Sequence, residues 1–359
     1  MKLLILGDVC PVENSVPMFA AKETDALFGD VKALFDAADY SVINLECAIT
    51  DSDNAIKKFG PNLKAPAATA RVLQELGVDC CGLSNNHIFD FGIEGALDTM
   101  RALDKVGITY TGFGKDYEDA RRNLTVEKDG QRIAIVAVCE HEYSYALEDR
   151  MGSRPYDAYD TIADVRRAKE THDRVIVLYH GGKELCRYPS PRVRKLCRAL
   201  VDNGADVVVG QHSHCVGTYE EYHGGHILHG QGNFHFTGLG TYEGWFDCMA
   251  LTYDTVTGEV AFTPIKADGC RLHVARGNEE QALMDAFRSR NEELADGRWK
   301  DGWHRFCAEC TYYIDRLAPV CTPEATQEQN DLFGHYMDCE SHTDVYRELF
   351  PTYNLTNEK

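Results

Sequence analysis

Seven short apolar runs recur along the first two thirds of this 359-residue chain, and they constrain its fold more than any other feature. The runs are rich in Val, Ile and Leu with little polar alternation, which is typical of strands covered on both faces. Segments with helical spacing separate several of them, and this order predicts a layered α/β fold. The apolar runs are residues 2–6, 40–45, 78–83, 132–138, 174–179, 206–210 and 226–229, and the periodic segments are residues 67–76, 95–106, 158–171 and 192–203.

The last third of the chain follows a different pattern, which begins at Trp245. Two strand-like segments, residues 249–253 and 259–264, flank Thr257-Gly258 and predict an antiparallel hairpin. The sequence after these segments is acidic, aromatic and helical in its periodicity. We therefore expect a domain over residues 1–270 and a helical C-terminal extension over residues 271–359. The extension either covers a site on the first domain or mediates self-association into a homo-oligomer.

The charge of the chain limits its partners. It carries 57 acidic and 37 basic residues, for a formal net charge of −20. Such a surface repels nucleic-acid backbones and anionic lipids, so we expect neither nucleic-acid nor membrane binding. A small molecule or a polymer that is anionic is still an acceptable substrate, because bound divalent cations reverse the potential inside a site.

The apolar segments and the cysteines predict a cytoplasmic protein. No run reaches the ~20 apolar residues of a membrane span, and Asp8 interrupts the N-terminal run before it could form a secretory signal. The 14 cysteines are scattered and follow no disulfide-scaffold spacing, as expected in a reducing compartment.

Residues of the types that bind metals follow the apolar runs. His212 and His214 are two positions apart after residues 206–210, so an extended chain directs both to one face. Imidazole suits zinc, iron, manganese and nickel. Because strands of an open α/β sheet bind ligands at their carboxyl ends, we expect the polar residues of the run ends to share one edge around a metal. The other run ends carry Asp8, Asn44, Glu46, Asn86, His87, Asp90, His180 and Asn233.

Each of these residues also has a purely structural interpretation. Asp8 or Asn44 could cap the helix after its strand. Asn86 could stabilise a left-handed turn, and His87 could be a core histidine with satisfied hydrogen bonds. The set as a whole favours a metal site, because buried carboxylates and imidazoles at one edge are costly without an ion.

The succession of motifs resembles that of the CapA family, the bacterial capsule-synthesis and poly-γ-glutamate-biosynthesis proteins. The resemblance covers residues 1–266, and the order of the motifs is more specific than any one of them. The family in turn is similar to the calcineurin-like metallophosphoesterases, which implies a four-layered α/β/β/α sandwich with a two-metal site. The motifs are Gly7-Asp8-Val9, Asn44-Leu45-Glu46, Asn85-Asn86-His87 with Asp90 and Gly92, His180-Gly181-Gly182, Gly210-Gln211-His212-Ser213-His214 and Gly232-Asn233-Phe234.

The resemblance implies a role for each of these polar residues. His87 would protonate the leaving group, and Asp90 would orient His87. Two divalent ions are implied, with manganese, iron and zinc as the expected metals. The implied ligands are Asp8 and His214 for one ion, Asn86, His180 and His212 for the other, and Glu46 as the bridging carboxylate.

Two motifs depart from the phosphoesterase pattern. Asp8-Val9-Cys10 replaces the usual Asp-x-His, so Cys10 either binds a metal as a thiolate or only packs. Asn44-Leu45-Glu46 replaces Gly-Asp-x-x-Asp, so Asn44 is a further candidate ligand and the longer Glu46 changes the spacing of the metals.

Charged residues near the motifs are candidates for substrate binding. Lys64, Arg187 and Arg192 could hold an anionic group, although solvated surface charge is the commoner role of a single Lys or Arg. Glu140 and His141 follow another apolar run and are candidates for the pocket lining.

These observations favour a binuclear metal-dependent hydrolase that acts on a phosphoester or on an anionic polymer or polysaccharide precursor. One alternative is a non-catalytic subunit of a capsule or poly-γ-glutamate assembly complex. Another is a metal-dependent hydrolase of γ-glutamyl amide bonds. Loss of turnover with retention of metal in His87→Ala is expected of both hydrolases, whereas the subunit has no turnover to lose.

Overall fold

The computed structural model describes residues 1–140, 142–238, 240, 242 and 244–351, without the side chain of Glu142. The strands among these residues are β1 Lys2–Val9, β2 Tyr40–Leu45, β3 Ala48–Ile49, β4 Lys64–Ala65, β5 Cys80–Gly82, β6 Thr109–Thr111, β7 Phe113–Gly114, β8 Leu124–Lys128, β9 Gln131–Cys139, β10 Gly152–Ser153, β11 Arg174–His180, β12 Val207–Gln211, β13 Tyr219–Tyr222, β14 Gly225–Leu228, β15 Asn233–His235, β16 Asp247–Asp254, β17 Val260–Asp268 and β18 Arg271–Val274.

The helices alternate with these strands in the first part of the chain and follow one another in the last part. They are α1 Ser15–Ala21, α2 Thr24–Phe28, α3 Lys32–Asp36, α4 Thr69–Leu76, α5 Gly92–Val106, α6 Tyr117–Ala120, α7 Ala158–Thr171, α8 Pro191–Asp202, α9 Asn278–Asp296, α10 Trp299–Glu309, α11 Tyr312–Val320, α12 Gln327–Asp338 and α13 Glu340–Leu349. Among the described helices, none combines the length and the hydropathy required to traverse a bilayer.

The first large sheet is built around parallel strands. Its order is β18-β17-β16-β1-β2-β5-β6, with β15 beside β1. Strands β1, β2, β5 and β6 pair in parallel, whereas β16, β17 and β18 are antiparallel neighbours on the other side of β1. The β16–β17 pair is the hairpin predicted around Thr257-Gly258, and that prediction is confirmed.

The second large sheet has the order β13-β14-β12-β11-β9-β8. Strands β9, β11, β12 and β14 pair in parallel, and β8 and β13 are antiparallel edge strands. Parallel strands of this kind need helical connections, which α7 and α8 supply between β9, β11 and β12.

Alternating side chains of the central strands form separate apolar layers. Leu3 and Ile5 of β1 pack against β9, β11 and β12 in the space between the two sheets. Leu4 and Leu6 of the same strand pack on the opposite face with α1 to α5. Helices α7 and α8 cover the outer face of the second sheet. The layers are helix, sheet, sheet and helix, so the predicted four-layered α/β/β/α sandwich is confirmed.

The predicted helical C-terminal extension also forms. Phe287 of α9 packs edge-to-face on Phe262 and joins the core between the sheets. Helices α10 to α13 bury a smaller cluster that includes Trp303 and Tyr313. Strand β18 remains paired with β17 up to Val274, so the sheet continues a few residues past position 270. The division into two domains there stays a prediction.

Candidate metal centre and active site

Strand ends from both sheets meet at one edge of the sandwich. Asp8 of β1 lies opposite Asn44 of β2 in the parallel register of the first sheet. His180 is the last residue of β11 in the second sheet, and His212 and His214 directly follow β12. Because parallel neighbours end at the same edge, the polar residues that follow them are brought together, as predicted from the sequence. We call this edge the metal edge; its residues are Asp8, Asn44, Glu46, His180, His212 and His214.

Glu46 lies at the centre of the metal edge. Its Oε1 is 3.3 Å from Nε2 of His180 and 3.9 Å from Nε2 of His214. Potential ligand atoms converge in two groups, each within 4.8 Å: Asp8, Glu46 and His180 form one, and Glu46, His212 and His214 form the other. Glu46 belongs to both groups, which is the position of a bridging carboxylate.

The grouping by distance differs in part from the assignment that the resemblance implies. Nδ1 of His214 lies 3.6 Å from Oδ2 of Asp8, and Oδ1 of Asn86 lies 2.8 Å from Nε2 of His180, so the implied neighbours are in contact. The ligand atoms nevertheless place His180 with Asp8, and His212 with His214. By distance, therefore, His180 groups with Asp8 and not with His212.

Burial disfavours the ionised forms of the carboxyl groups at the metal edge. Against the effect of burial, the charges of Glu46 and Asp8 raise the pKa of His214. Both oxygens of Glu46 are buried and accept no hydrogen bond from the described residues, and burial raises the pKa of Glu46. Burial and then the charge of Glu46 raise the pKa of Asp8 to about 6. Burial lowers the pKa of His180 to about 4, so this imidazole is neutral. Buried carboxyl groups beside a neutral imidazole fit divalent cations, which supply the missing charge.

The backbone of the histidine segment adopts an uncommon conformation. His212 has a φ of 82° and His214 a φ of 54°, in the left-handed region that residues other than glycine seldom adopt. Such conformations cost about 1–3 kcal/mol each and cluster at functional sites. At the neighbouring strand, a Cβ on Gly7 would lie 2.0 Å from the carbonyl oxygen of Gly232. Only glycine therefore fits before Asp8.

Two asparagines lie behind the ligands and hold them in place. Nδ2 of Asn44 donates to Oδ1 of Asp8 at 2.7 Å and lies 3.1 Å from Nδ1 of His180. Oδ1 of Asn44 accepts a hydrogen bond from Nδ2 of Asn85 at 3.1 Å. The amide of Asn44, a candidate ligand from the sequence, is thus placed to orient ligands. Cys10, the other candidate, belongs to neither ligand group of the described residues.

His87 lies beside the metal edge in a short chain of polar contacts. Its Nδ1 is 2.7 Å from Oδ2 of Asp90. The other oxygen of Asp90 forms an ion pair with Lys58, whose side chain is 3% exposed, and Nζ of Lys58 also lies 3.1 Å from Nδ1 of His87. The structure thus places Asp90 where the resemblance implies. It adds Lys58, which no motif or periodic pattern in residues 51–63 signals.

A cavity of about 480 Å³ lies over the metal edge. Asn86, His87 and His212 line it from the core, and α11 to α13 line it from the C-terminal extension. The extension therefore covers the metal edge. Glu184 also lines the cavity, with Oε1 3.7 Å from Nε2 of His212. In the sequence, only the position of Glu184, four residues after His180, points to its place in the cavity.

Most of the chain matches a known protein family. Residues 2–237 match the family model described as "Bacterial capsule synthesis protein PGA_cap".

The chain belongs to the PGA_cap family.

The predicted CapA membership is thereby confirmed. The PGA_cap match includes every residue of the metal edge and ends before α9, so the helices that cover the cavity lie outside it.

Two curated relatives of this PGA_cap chain come from Bacillus. "PGA biosynthesis protein CapA" of Bacillus subtilis (strain 168) is 31% identical over 272 residues, which are 72% of this chain and 70% of the relative. "Capsule biosynthesis protein CapA" of Bacillus anthracis is 28% identical over 254 residues, which are 68% of this chain and 61% of the relative. The chain thus spans less than two thirds of the latter protein's length.

Solved structures match the PGA_cap chain more weakly. A 5'-nucleotidase from Candida albicans is 9% identical, with a TM-score of 0.44 over 74% of this chain and 52% of that chain. A hypothetical protein from Thermus thermophilus is 17% identical, with a TM-score of 0.42 over 77% of this chain and 99% of that chain. No functional residue is transferred from proteins at this level of similarity.

The arginine expected to bind substrate has other partners in the PGA_cap structure. Arg192 forms an ion pair with the buried Glu140, and its Nε lies 3.0 Å from the carboxylate of Asp344 in α13. Neither Arg192 nor Glu140 is among the described residues that line the cavity. Their charges instead attach the C-terminal extension to the sandwich.

The remaining candidates for substrate binding also lie elsewhere. Nζ of Lys64 is 2.9 Å from the exposed carboxylate of Asp53. The guanidinium of Arg187 lies over the ring of Tyr242, at 5.5 Å from its centroid. Lys64 and Arg187 are likewise absent from the described lining of the cavity. His141 lies outside the described residues.

Proposed function

We propose that this chain is a binuclear metal-dependent hydrolase that acts on a phosphoester or on an anionic polymer or polysaccharide precursor. The observation that carries the proposal is the position of Glu46, which is buried and shared by two groups of potential ligands. Two ions at such a site would suit in-line displacement at phosphorus. The link to capsule or poly-γ-glutamate synthesis rests on the names of the relatives.

The chain's own residues supply the other parts of the mechanism. Two bound ions, with manganese, iron or zinc preferred by these ligands, would lower the pKa of an attacking water and polarise the substrate. His87 donates the proton that the leaving oxygen needs. Asp90 and Lys58 both contact Nδ1 of His87, which leaves Nε2 for proton donation. Lys58 balances the charge of Asp90, and Asn44 keeps Asp8 oriented.

The proposal includes the setting of the protein. None of the 14 cysteines, all of which lie in the described part of the chain, forms a disulfide there, and all but Cys321 are at least partly buried. Reduced, buried cysteines support a cytoplasmic location. The net charge of −20 disfavours nucleic acids and membranes as partners. It is compatible with an anionic substrate, because bound divalent cations would reverse the potential inside the site. A homo-oligomer stays a prediction.

The first test is the metal content of the full chain, measured by elemental mass spectrometry. We expect about two ions per wild-type chain and a sharp loss in His212→Ala/His214→Ala. His223→Ala/His304→Ala is the matched control, because these two side chains are 67% and 68% exposed. Absence of metal in the wild type after incubation with manganese, iron and zinc would contradict the two-metal site.

The second test is turnover by the metal-loaded protein. Phosphomonoesters, phosphodiesters and γ-glutamyl dipeptides are offered in parallel, since they separate phosphoester from amide hydrolysis. Hydrolysis of a phosphoester that is lost with the metal supports the proposal. Two bound ions without turnover of any of these compounds would instead favour a non-catalytic subunit of an assembly complex.

A further inference from the structure

Two cations in the cavity take no part in the proposed chemistry. Lys183 follows β11, three residues after His180, and Arg316 lies on α11. Both line the cavity that His87 and His212 line from below. Within the described residues neither forms an ion pair at 4.0 Å or less. They are therefore available to a ligand.

Other cations of this region already have acidic partners. Lys58 is paired with Asp90, and Arg192 is paired with Glu140. The carboxylates that do line the cavity belong to Glu184 and Glu328.

Within the described residues, neither of these acids forms an ion pair at 4.0 Å or less with Lys183 or Arg316, although Glu184 is the acid whose charge acts most strongly on Lys183. Oε1 of Glu184 lies toward the metal edge, 3.7 Å from Nε2 of His212, where metal ions would offset its charge. Glu328 is an exposed residue in the first turn of α12. Positive charge is thus left on the wall of the cavity that α11 and the segment after β11 form.

Lys183 and Arg316 line the same cavity from different elements. Burial lowers the pKa of Lys183, but the charge of Glu184 and then those of Tyr312 and Cys310 raise it, and the net shift is upward. Tyr312 and Arg316 are four residues apart on α11, so they lie on one side of this helix. Because both residues line one cavity, Lys183 and Arg316 can contact one ligand there.

We propose that Lys183 and Arg316 form an oxyanion-binding subsite that holds a second anionic group of the substrate, a carboxylate or a phosphate, away from the bond that is cleaved. That the ligand is a substrate rests on the proposed function. The fork of Arg suits either oxyanion, and Lys adds a compact point charge. A cavity of about 480 Å³ admits a small molecule or the end of a chain, so the ligand carries one anionic group at the metal edge and another at this wall.

The test is calorimetric binding of three phosphonates that resist hydrolysis, measured with the metal-loaded full chain. Butylphosphonate has one anionic group, phosphonobutyrate adds a carboxylate, and butane bisphosphonate adds a second phosphonate. We expect the second group to tighten binding to the wild type, and Arg316→Gln and Lys183→Gln each to remove about ten- to a hundred-fold of this gain. The compound that loses more in the variants distinguishes a carboxylate from a phosphate ligand.

Arg305→Gln is the matched control, because Arg305 is exposed on α10, does not line the cavity and gives the same change in net charge. Equal affinity of the wild type for all three compounds overturns the subsite. So does an equal loss in Arg305→Gln, which would indicate long-range charge alone. Arg316 is exposed, so Arg316→Gln decides the question even if Lys183→Gln fails to fold.

The measurement also separates the subsite from the proposed function. Binding needs no turnover, so a selective loss in Arg316→Gln supports the subsite even in a protein that hydrolyses no phosphoester. Turnover with no selective loss rejects the subsite and leaves the hydrolase in place.

Discussion

Nδ1 of His87 lies 2.7 Å from Oδ2 of Asp90, and this contact fixes the orientation of the ring. The other oxygen of Asp90 pairs with the buried Lys58, so one carboxylate joins a histidine to a cation. None of these three residues belongs to the two ligand groups found among the described residues. Proton transfer and metal binding can therefore be tested by separate substitutions.

His87→Ala removes the proposed proton donor and leaves both ligand groups complete. We expect turnover to fall about 100- to 10,000-fold, the range for loss of one general acid–base group, with no change in metal content. The loss is expected to be larger for a phenyl than for a p-nitrophenyl ester, because the poorer leaving group needs the proton more. An equal loss for both esters would contradict the role of His87 as the acid.

Asp90→Asn tests the positioning of His87. It removes the charge that holds Nδ1 and leaves Lys58 buried without its counter-charge, so we expect lower kcat and a free energy of unfolding reduced by about 3–5 kcal/mol. Lys58→Met/Asp90→Asn removes both charges. We expect this double variant to recover stability in urea unfolding but not kcat. Recovery of both quantities would show that Asp90 serves only the fold.

Asp8 gives the metal-free protein a defined dependence on pH. Burial and then the charge of Glu46 raise the pKa of Asp8 to about 6, above the ~3.9 of an unfolded Asp. The folded metal-free chain thus keeps a proton that the unfolded chain releases. The stability from this proton is present below about pH 4 and is lost as the pH rises through about 6.

Asp8→Asn removes this dependence. In urea unfolding of the metal-free protein, the wild type is expected to lose up to about 3 kcal/mol relative to Asp8→Asn between about pH 4 and about pH 7. Added manganese is expected to reverse the loss at neutral pH, because a bound cation favours the ionised carboxylate. A difference between the two proteins that does not vary with pH would contradict the raised pKa.

Arg192→Met tests the attachment of the C-terminal extension. The substitution leaves the buried Glu140 without its counter-charge and removes one of the partners of Asp344, at a cost of about 3–5 kcal/mol. We expect faster amide hydrogen exchange over residues 312–349 and a loss of turnover. Arg347→Met is the control, since its side chain is 63% exposed and its pair with Asp344 lies within α13, so the substitution removes no ion pair between the extension and the sandwich. Unchanged exchange in Arg192→Met would contradict this role.

The sequence predicted the metal edge because the signal is local. Asp8, His180 and His212 each follow an apolar run, so each is predicted to lie at the end of a strand. Because parallel strands end at one edge, the three residues are predicted to lie close together. The order of the layers was predictable for the same reason, because each strand and helix shows its period within a few residues.

Contacts between distant segments were not predictable in this way. The positive charge of Arg192 suits a substrate-binding residue, but its partner Asp344 lies 152 positions later in the sequence. Lys58 lies in a segment without a period, and only the fold brings it to Asp90. Helices α11 to α13 cover the cavity because their apolar side chains pack together. The periodicity of a helix shows that it has an apolar face, but not which surface that face covers.

Strand β1 hydrogen-bonds to β2 on one side and to β15 and β16 on the other. The ribosome synthesises β2 long before it synthesises β15 and β16. On the ribosome, β1 waits with one edge unpaired until residues 247–254 have been synthesised. An unpaired apolar strand edge invites association with other chains, and pairing across such a sequence distance is slow. Asp8 lies on this strand, so the arrangement of candidate ligands at the metal edge can be completed only after most of the chain has been synthesised. The metal edge thus depends on the late closure of the first sheet.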